Sequence, residues 1–199
     1  MISLIGVALD ANSSHMFGAA EGPAAIRAAL HSGSSNESTE SSVVVVPMLD
    51  DIGDVAISNE RCSTADAEAI TAAVAAQLEA GRQVITIGGD HSITYPVLLA
   101  FRDAPSPEQR PLTVVHVDAH PDLYDDLDGN PLSHASPFAR ALEAGCMRAL
   151  VQFGIRTATP HQRAQGVRWN VTMVSPCELS TFDMSTLTGV SFDSRYAFV

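Results

Sequence analysis

Basic residues are scarce in this 199-residue chain: 11 Lys and Arg stand against 23 Asp and Glu, a net charge of −12 with histidine neutral. A chain so short of positive charge is poorly matched to nucleic acid or to an anionic membrane surface. The same acidic excess mildly favours a small cationic partner. Cysteine is sparse too. Cys62, Cys146 and Cys177 are odd in number and show no C-x-x-C spacing, the pattern of reduced thiols rather than of a disulfide framework. No apolar run reaches the length needed to span a bilayer. The chain opens directly on an apolar run, residues 2–9, without a basic or Arg/Ser-rich leader pattern. These absences together lead us to expect a soluble, cytoplasmic protein.

What is present has the proportions of a single globular α/β domain over residues 1–199, with 46% apolar and 17% charged residues. Short apolar runs alternate with helical patterns, as β-α units around a mostly parallel sheet require. The strand candidates are residues 2–9, 43–46, 84–87, 113–117, 150–154, 171–174 and 189–192. Several are unbroken Val/Ile runs, expected where helices cover both sheet faces. Pro23 sits near the start of one helix. Residues 63–80 form a second, with Asp66 and Glu68 in its first turn, a stripe of Ile70, Val74 and Leu78, and Gly81 as its stop. Another runs from Ile93 through Phe101. Ser136-Pro137 is expected to cap and open a further helix reaching about Gly145. Residues 31–42 are serine-rich, without a large apolar side chain, and read as a mobile surface loop.

The chemistry concentrates in two stretches. In Val114-Val115-His116-Val117-Asp118-Ala119-His120-Pro121-Asp122, an apolar strand ends in four ionisable residues at alternating positions. Residues two apart in an extended chain share a side, so Asp118, His120 and Asp122 are expected to converge. Such groups gathered at the carboxyl end of a sheet strand are costly unless a cation binds them. Carboxylate oxygen and neutral imidazole are ordinary ligands of divalent metals, although a hydrogen-bonded acid–histidine cluster is a competing reading. The strand at 84–87 runs into Gly88-Gly89-Asp90-His91-Ser92, where the glycines permit a sharp turn that presents His91 at the same edge. The run Asp125-Asp126-Leu127-Asp128 reads as a solvated loop face.

The pairing of Gly88-Gly89-Asp90-His91-Ser92 with Asp118-Ala119-His120-Pro121-Asp122 resembles the ureohydrolases, the family of arginase and agmatinase. Gly22-Pro23-Ala24-Ala25-Ile26-Arg27, Asp51-Ile52-Gly53-Asp54, Gln152-Phe153-Gly154-Ile155-Arg156 and the segment Asn130 to Arg140 match further family stretches. The last is similar to plant-type arginases and agmatinase-like proteins. The resemblance implies a three-layer αβα fold with a mostly parallel central sheet. It also implies two manganese ions sharing a bridging hydroxide. His91, Asp118 and Asp122 would hold the first ion and His120 the second, with Asp118 and Asp193 bridging. Asp122 would also orient the nucleophile, and His134 would shuttle a proton or contact the substrate. Asn12-Ser13-Ser14 resembles the family's first loop near the site mouth. The implied reaction releases urea from a small guanidino substrate, arginine or agmatine, in an enzyme for which homo-oligomerisation is left open.

The chain departs from the family after Ser191-Phe192-Asp193. Arg195 stands where a second aspartate ligand is expected, and a guanidinium has no lone pair to offer a cation. We therefore expect a C-terminally truncated member with an incomplete sheet and a compromised second metal site. Two readings stay open here. One is an active amidinohydrolase. The other is a non-catalytic variant that binds metal partially or associates with a full-length sibling. Deacetylase chemistry on a similar fold is a third, weaker alternative.

Overall fold

The computed structural model describes residues 1–104, 112–183, 185, 187 and 196–199. Two parallel sheets form its centre. The first contains β1 (Ile2–Val7), β2 (Leu49–Asp54) and β3 (Gln83–Gly88) in the order β2-β1-β3. The second contains β4 (Leu112–Val117), β5 (Met147–Phe153), β6 (Thr172–Val174) and β7 (Tyr196–Phe198) in the order β6-β5-β4-β7. Parallel pairing favours covered faces, and β1 and β4 comply, with Leu4, Ile5, Val7, Leu112, Val114 and Val115 buried, whereas Ile52 of β2 and Ile85 of β3 stay exposed.

Flanking helices supply that cover: α1 (Gly22–Leu30), α2 (Thr64–Glu79), α3 (Thr94–Asp103), α4 (Pro137–Glu143) and α5 (Pro160–Arg168). In α2, Ser63 accepts from the Asp66 backbone N–H, and Ile70, Val74 and Leu78 form the buried stripe the spacing predicts. Gly81 follows with φ +70, a left-handed conformation suited to glycine. Asp66 is more than a charge at the helix start, because its buried carboxylate accepts from the Ser58 and Glu60 backbone N–H groups. The helix α3 joins the two sheets. Leu98 packs with Leu112, Val114, Leu123 and Phe138 under the second sheet, while Ala100 and Ala104 pack with Ile5, Val74 and Leu78 under the first.

Several expectations need correction. Residues 43–46 are not a strand. Val43 and Val44 are nearly half exposed, Val44 makes one isolated bridge to Ser38, and Val46–Met48 is a 3-10 turn. Pro47 removes a backbone donor there, and the strand lies just beyond, over the Asp51-Ile52-Gly53-Asp54 stretch. Ser136 occupies the N-cap position of α4, yet its side chain makes no capping bond. The helix α5 was not foreseen because it lacks an apolar stripe, although Thr159 and Gln162 form a full capping box. Residues 31–42 run as exposed turns. The expected strand at 189–192, and with it Asp193 and Arg195, lies outside the described residues. All three cysteines are free, and among the described residues no helix is long and apolar enough to cross a membrane.

The turn after β3 is fixed by close backbone approach. The Gly89 N–H donates to Val7 O at 3.2 Å and the Asp90 N–H to Leu9 O at 2.7 Å. A Cβ on residue 89 would stand 2.0 Å from Leu9 O and 2.8 Å from Leu9 C, and backbone cannot swing aside as a flexible side chain can. Gly89→Ala is therefore expected to destabilise the fold by about 2–3 kcal/mol, within the usual range for overpacking, as measured by urea denaturation. A variant as stable as the parent would show that the β1–β3 junction is not tightly packed.

Candidate metal centre

The site forms where β3 and β4 end. The Asp90 side chain caps the turn by accepting from the Ser92 backbone N–H at 2.9 Å, and its other oxygen accepts from the Asn12 backbone N–H at 3.1 Å. This carboxylate thus ties the first loop to the turn, and the tie sets the position of His91. The His91 Nδ1 lies 2.6 Å from Asp122 Oδ2. Asp122 reaches it with φ +48, a left-handed conformation that aspartate tolerates better than most residues.

His91, His116, Asp118 and Asp122 bring one ligand atom each to within 4.8 Å of one another. Two imidazoles and two carboxylates are a donor set suited to a divalent cation. His116 is 1% exposed, and its Nε2 is buried with no hydrogen-bond partner among the described residues. Asp118 Oδ2 faces that nitrogen at 3.5 Å. The His91 and His116 rings stack with centroids 5.1 Å apart, and Phe138 of α4 closes the group from one side.

The site residues expected from the sequence fall into three sets. His91, Asp118 and Asp122 come together. His120 stands beside them: its Nδ1 is 3.4 Å from Asp118 Oδ1, but its side chain is 58% exposed and outside the group of four. The extended pattern that predicted its convergence does not hold there, because β4 stops at Val117. His134 lies against the first loop. Its Nδ1 is 2.9 Å from Asn12 O and its Nε2 3.5 Å from Ser14 Oγ, so the Asn12-Ser13-Ser14 stretch does border this region. Asp193 lies outside the described residues. The member that sequence reasoning missed is His116. It belongs to the same alternating series, and its position inside a buried strand was the available signal.

The electrostatics follow from burial. Desolvation pushes the His116 pKa from 6.5 down to about 4, assisted by the neighbouring His91, while Asp118 and Asp122 oppose the shift. Burial works to raise the Asp118 pKa but is outweighed. The His120 backbone N–H bonded to the carboxylate, together with the His116 and His91 rings, holds it below its ordinary value.

Between pH 6.5 and 4 the unfolded chain binds a proton at His116 that the folded chain refuses, so stability falls as pH drops through that window. The gap corresponds to roughly 3 kcal/mol. Below it, protonation of Asp118 removes more. Denaturant titrations of the metal-free protein at pH 7 and pH 4.5 are expected to differ in this direction, with His116→Gln reducing the difference. An equal loss in that variant would assign the acid sensitivity elsewhere.

Comparison with known proteins places this arrangement. The Arginase family model matches residues 1–190. Arginase 1, mitochondrial, of Oryza sativa subsp. indica is 41% identical over 175 residues, covering 84% of this chain and 51% of that protein. Arginase 1, mitochondrial, of Arabidopsis thaliana is 39% identical, with 85% and 51% covered. The solved arginase from Medicago truncatula superposes with a TM-score of 0.81 at 37% identity, covering 90% of this chain and 58% of that one. The parallel sheets and flanking helices are thus part of the αβα arginase fold, and the chain spans about half the length of the curated relatives it matches. The family read from the paired glycine-rich and aspartate–histidine motifs is borne out: this chain belongs to the arginase family.

Proposed function

We propose that the chain carries the metal-binding part of a manganese-dependent amidinohydrolase that releases urea from a small guanidino substrate, arginine or agmatine. The carrying observation is the meeting of His91, His116, Asp118 and Asp122 at one sheet edge. Asp118 and Asp122 are two like-charged carboxylates, buried or half-buried in so small a space, and a divalent cation compensates them better than their contacts with imidazole and backbone N–H do.

In this reading His91, Asp118 and Asp122 would hold one ion, and His120 with Asp193 would contribute to a second. Metal bound there supplies Lewis acidity and a hydroxide nucleophile at neutral pH. The protein's own residues do the rest. Asp122, whose carboxylate lies 2.6 Å from His91 Nδ1, would orient the nucleophile. His134 faces a carbonyl oxygen with Nδ1, which fixes a proton on that nitrogen and leaves Nε2 as an acceptor toward the Ser14 side. That is the state in which it can take a proton or contact the substrate. The acidic chain suits a cationic guanidinium. The three free cysteines suit a reducing compartment, and the cytoplasm belongs to this reading.

Arg195 favours a second reading. At the position of an expected carboxylate ligand it brings positive charge, which suits a variant that binds one ion and does not turn over by itself.

The two readings separate on one preparation. With manganese present, the purified chain is expected to release urea steadily from arginine or agmatine, and Asp122→Asn to reduce the rate by about 100-fold or more, as loss of a nucleophile-orienting group does. Uptake of a single ion with no urea from either substrate would select the second reading. For His91→Asn, manganese affinity measured by calorimetry is expected to fall by at least about 10–100-fold, the scale of losses even for groups behind the ligands. Unchanged affinity would remove His91 from the ligand set.

A further inference from the structure

His116 and Gln152 are register partners on β4 and β5, and both are almost fully buried, at 1% and 0% exposure. The Gln152 amide nitrogen lies 2.8 Å from Pro121 O and 3.1 Å from His116 Nδ1. A carbonyl oxygen only accepts, so the nitrogen of the amide, not its oxygen, must face Pro121. Its first N–H goes to that carbonyl and its second points at His116 Nδ1. A ring nitrogen that receives an N–H must offer a lone pair, and a neutral imidazole with its lone pair on Nδ1 carries its proton on Nε2.

We propose that Gln152 and His116 are positioning residues behind the metal donors: Gln152 locks His116 as the Nε2–H tautomer, so that His116 steers Asp118 and is itself excluded as a ligand. This rests on the metal reading above and deepens it. An N–H cannot ligate a cation, so the group of four divides into three donors and one orienting ring. The Nε2–H faces Asp118 Oδ2 at 3.5 Å with no competing partner among the described residues. The same amide also holds the Pro121 carbonyl, and thereby the peptide leading into Asp122 in its left-handed conformation. One side chain thus reaches both carboxylate donors, Asp118 through His116 and Asp122 through the backbone. The Gln152 oxygen is left buried and unpartnered among the described residues. An apolar residue would avoid that orphan, so a packing role alone does not account for glutamine here.

Long-range proton–nitrogen spectra of the full chain with labelled histidine test the idea, first metal-free and then with Zn2+ as a diamagnetic probe. The expected result is a bare Nδ1 and a protonated Nε2 on His116 in both states, while the His91 ring nitrogen shifts on adding Zn2+. A proton on Nδ1, or a His116 Nε2 that becomes metal-bound, would overturn the proposal. If no divalent cation binds at all, the metal reading falls, and the metal-free spectrum still decides the tautomer. Two variants complete the test by manganese titration. Gln152→Leu is expected to lower Mn2+ affinity by about 10–100-fold and to mix the His116 tautomers, with thermal stability retained. His116→Gln, whose amide N–H stands in for Nε2–H, is expected to keep affinity within a few-fold of the parent, whereas His116→Leu loses it as Gln152→Leu does. Equal affinity in Gln152→Leu and the parent would sink the relay.

Discussion

Two carboxylates and two imidazoles pressed together at the carboxyl edge of β3 and β4 are the constraint on which the rest of this structure turns. Desolvated charges of one sign are tolerated only when neutralised, and here the neutralisation must come from a narrow space among His91, His116, Asp118 and Asp122. The fold answers by fixing each group from behind. Close backbone approach at Gly89 and Leu9 sets the turn that presents His91. Register pairing of β4 with β5 sets His116 against Gln152. His91 and His116 are therefore held in place from behind by backbone and register contacts.

The motifs outside the centre prove to be the frame that holds it. Arg27, from the glycine-proline helix stretch, makes a forked pair of bonds to Asp51 at 2.7 and 3.0 Å and also bonds Asp54. Two sequence stretches that look like separate signatures are one ion-paired clamp of α1 on β2. Asp90, embedded in the glycine-rich metal motif, binds backbone and not the centre. Gln152 is the third case. Such residues are as exactingly placed as donors because a donor set is only as well ordered as the groups that aim it.

The legible part of this protein was whatever depends on local pattern. Apolar runs marked β1, β3, β4 and β5, a spaced stripe and its stop marked α2, and the spacing of Asp118 and Asp122 announced the site. The illegible part depends on tertiary partners. An extended chain would carry His120 into the group, but the backbone turns after Val117, and Asp122 reaches His91 from a left-handed conformation, not an extended one. His116 stood in the alternating series, but local pattern does not tell a buried histidine that orients from one that merely packs. Its meaning comes from Gln152, 36 residues away in sequence, and strand pairing at that distance leaves no mark in either segment alone. The shift of β2 away from residues 43–46 has the same origin: four valines have high strand propensity, but the pairing edge of β1 is taken by the segment after Pro47.

The division between buried and exposed donors bears on how the two proposed ion positions differ. The side chains of His91 and Asp122 are 20% and 10% exposed and already in contact, so one position is preformed by residues of β3, β4 and the loops that follow them. The His120 side chain is 58% exposed, with its Nδ1 3.4 Å from Asp118 Oδ1. A preformed site has little ordering entropy left to lose when the ion arrives, whereas an exposed imidazole must be immobilised at that moment. On the proposed reading, the first ion binds more tightly than the second for reasons contained in this part of the chain. The asymmetry therefore arises from the unequal burial of the donors.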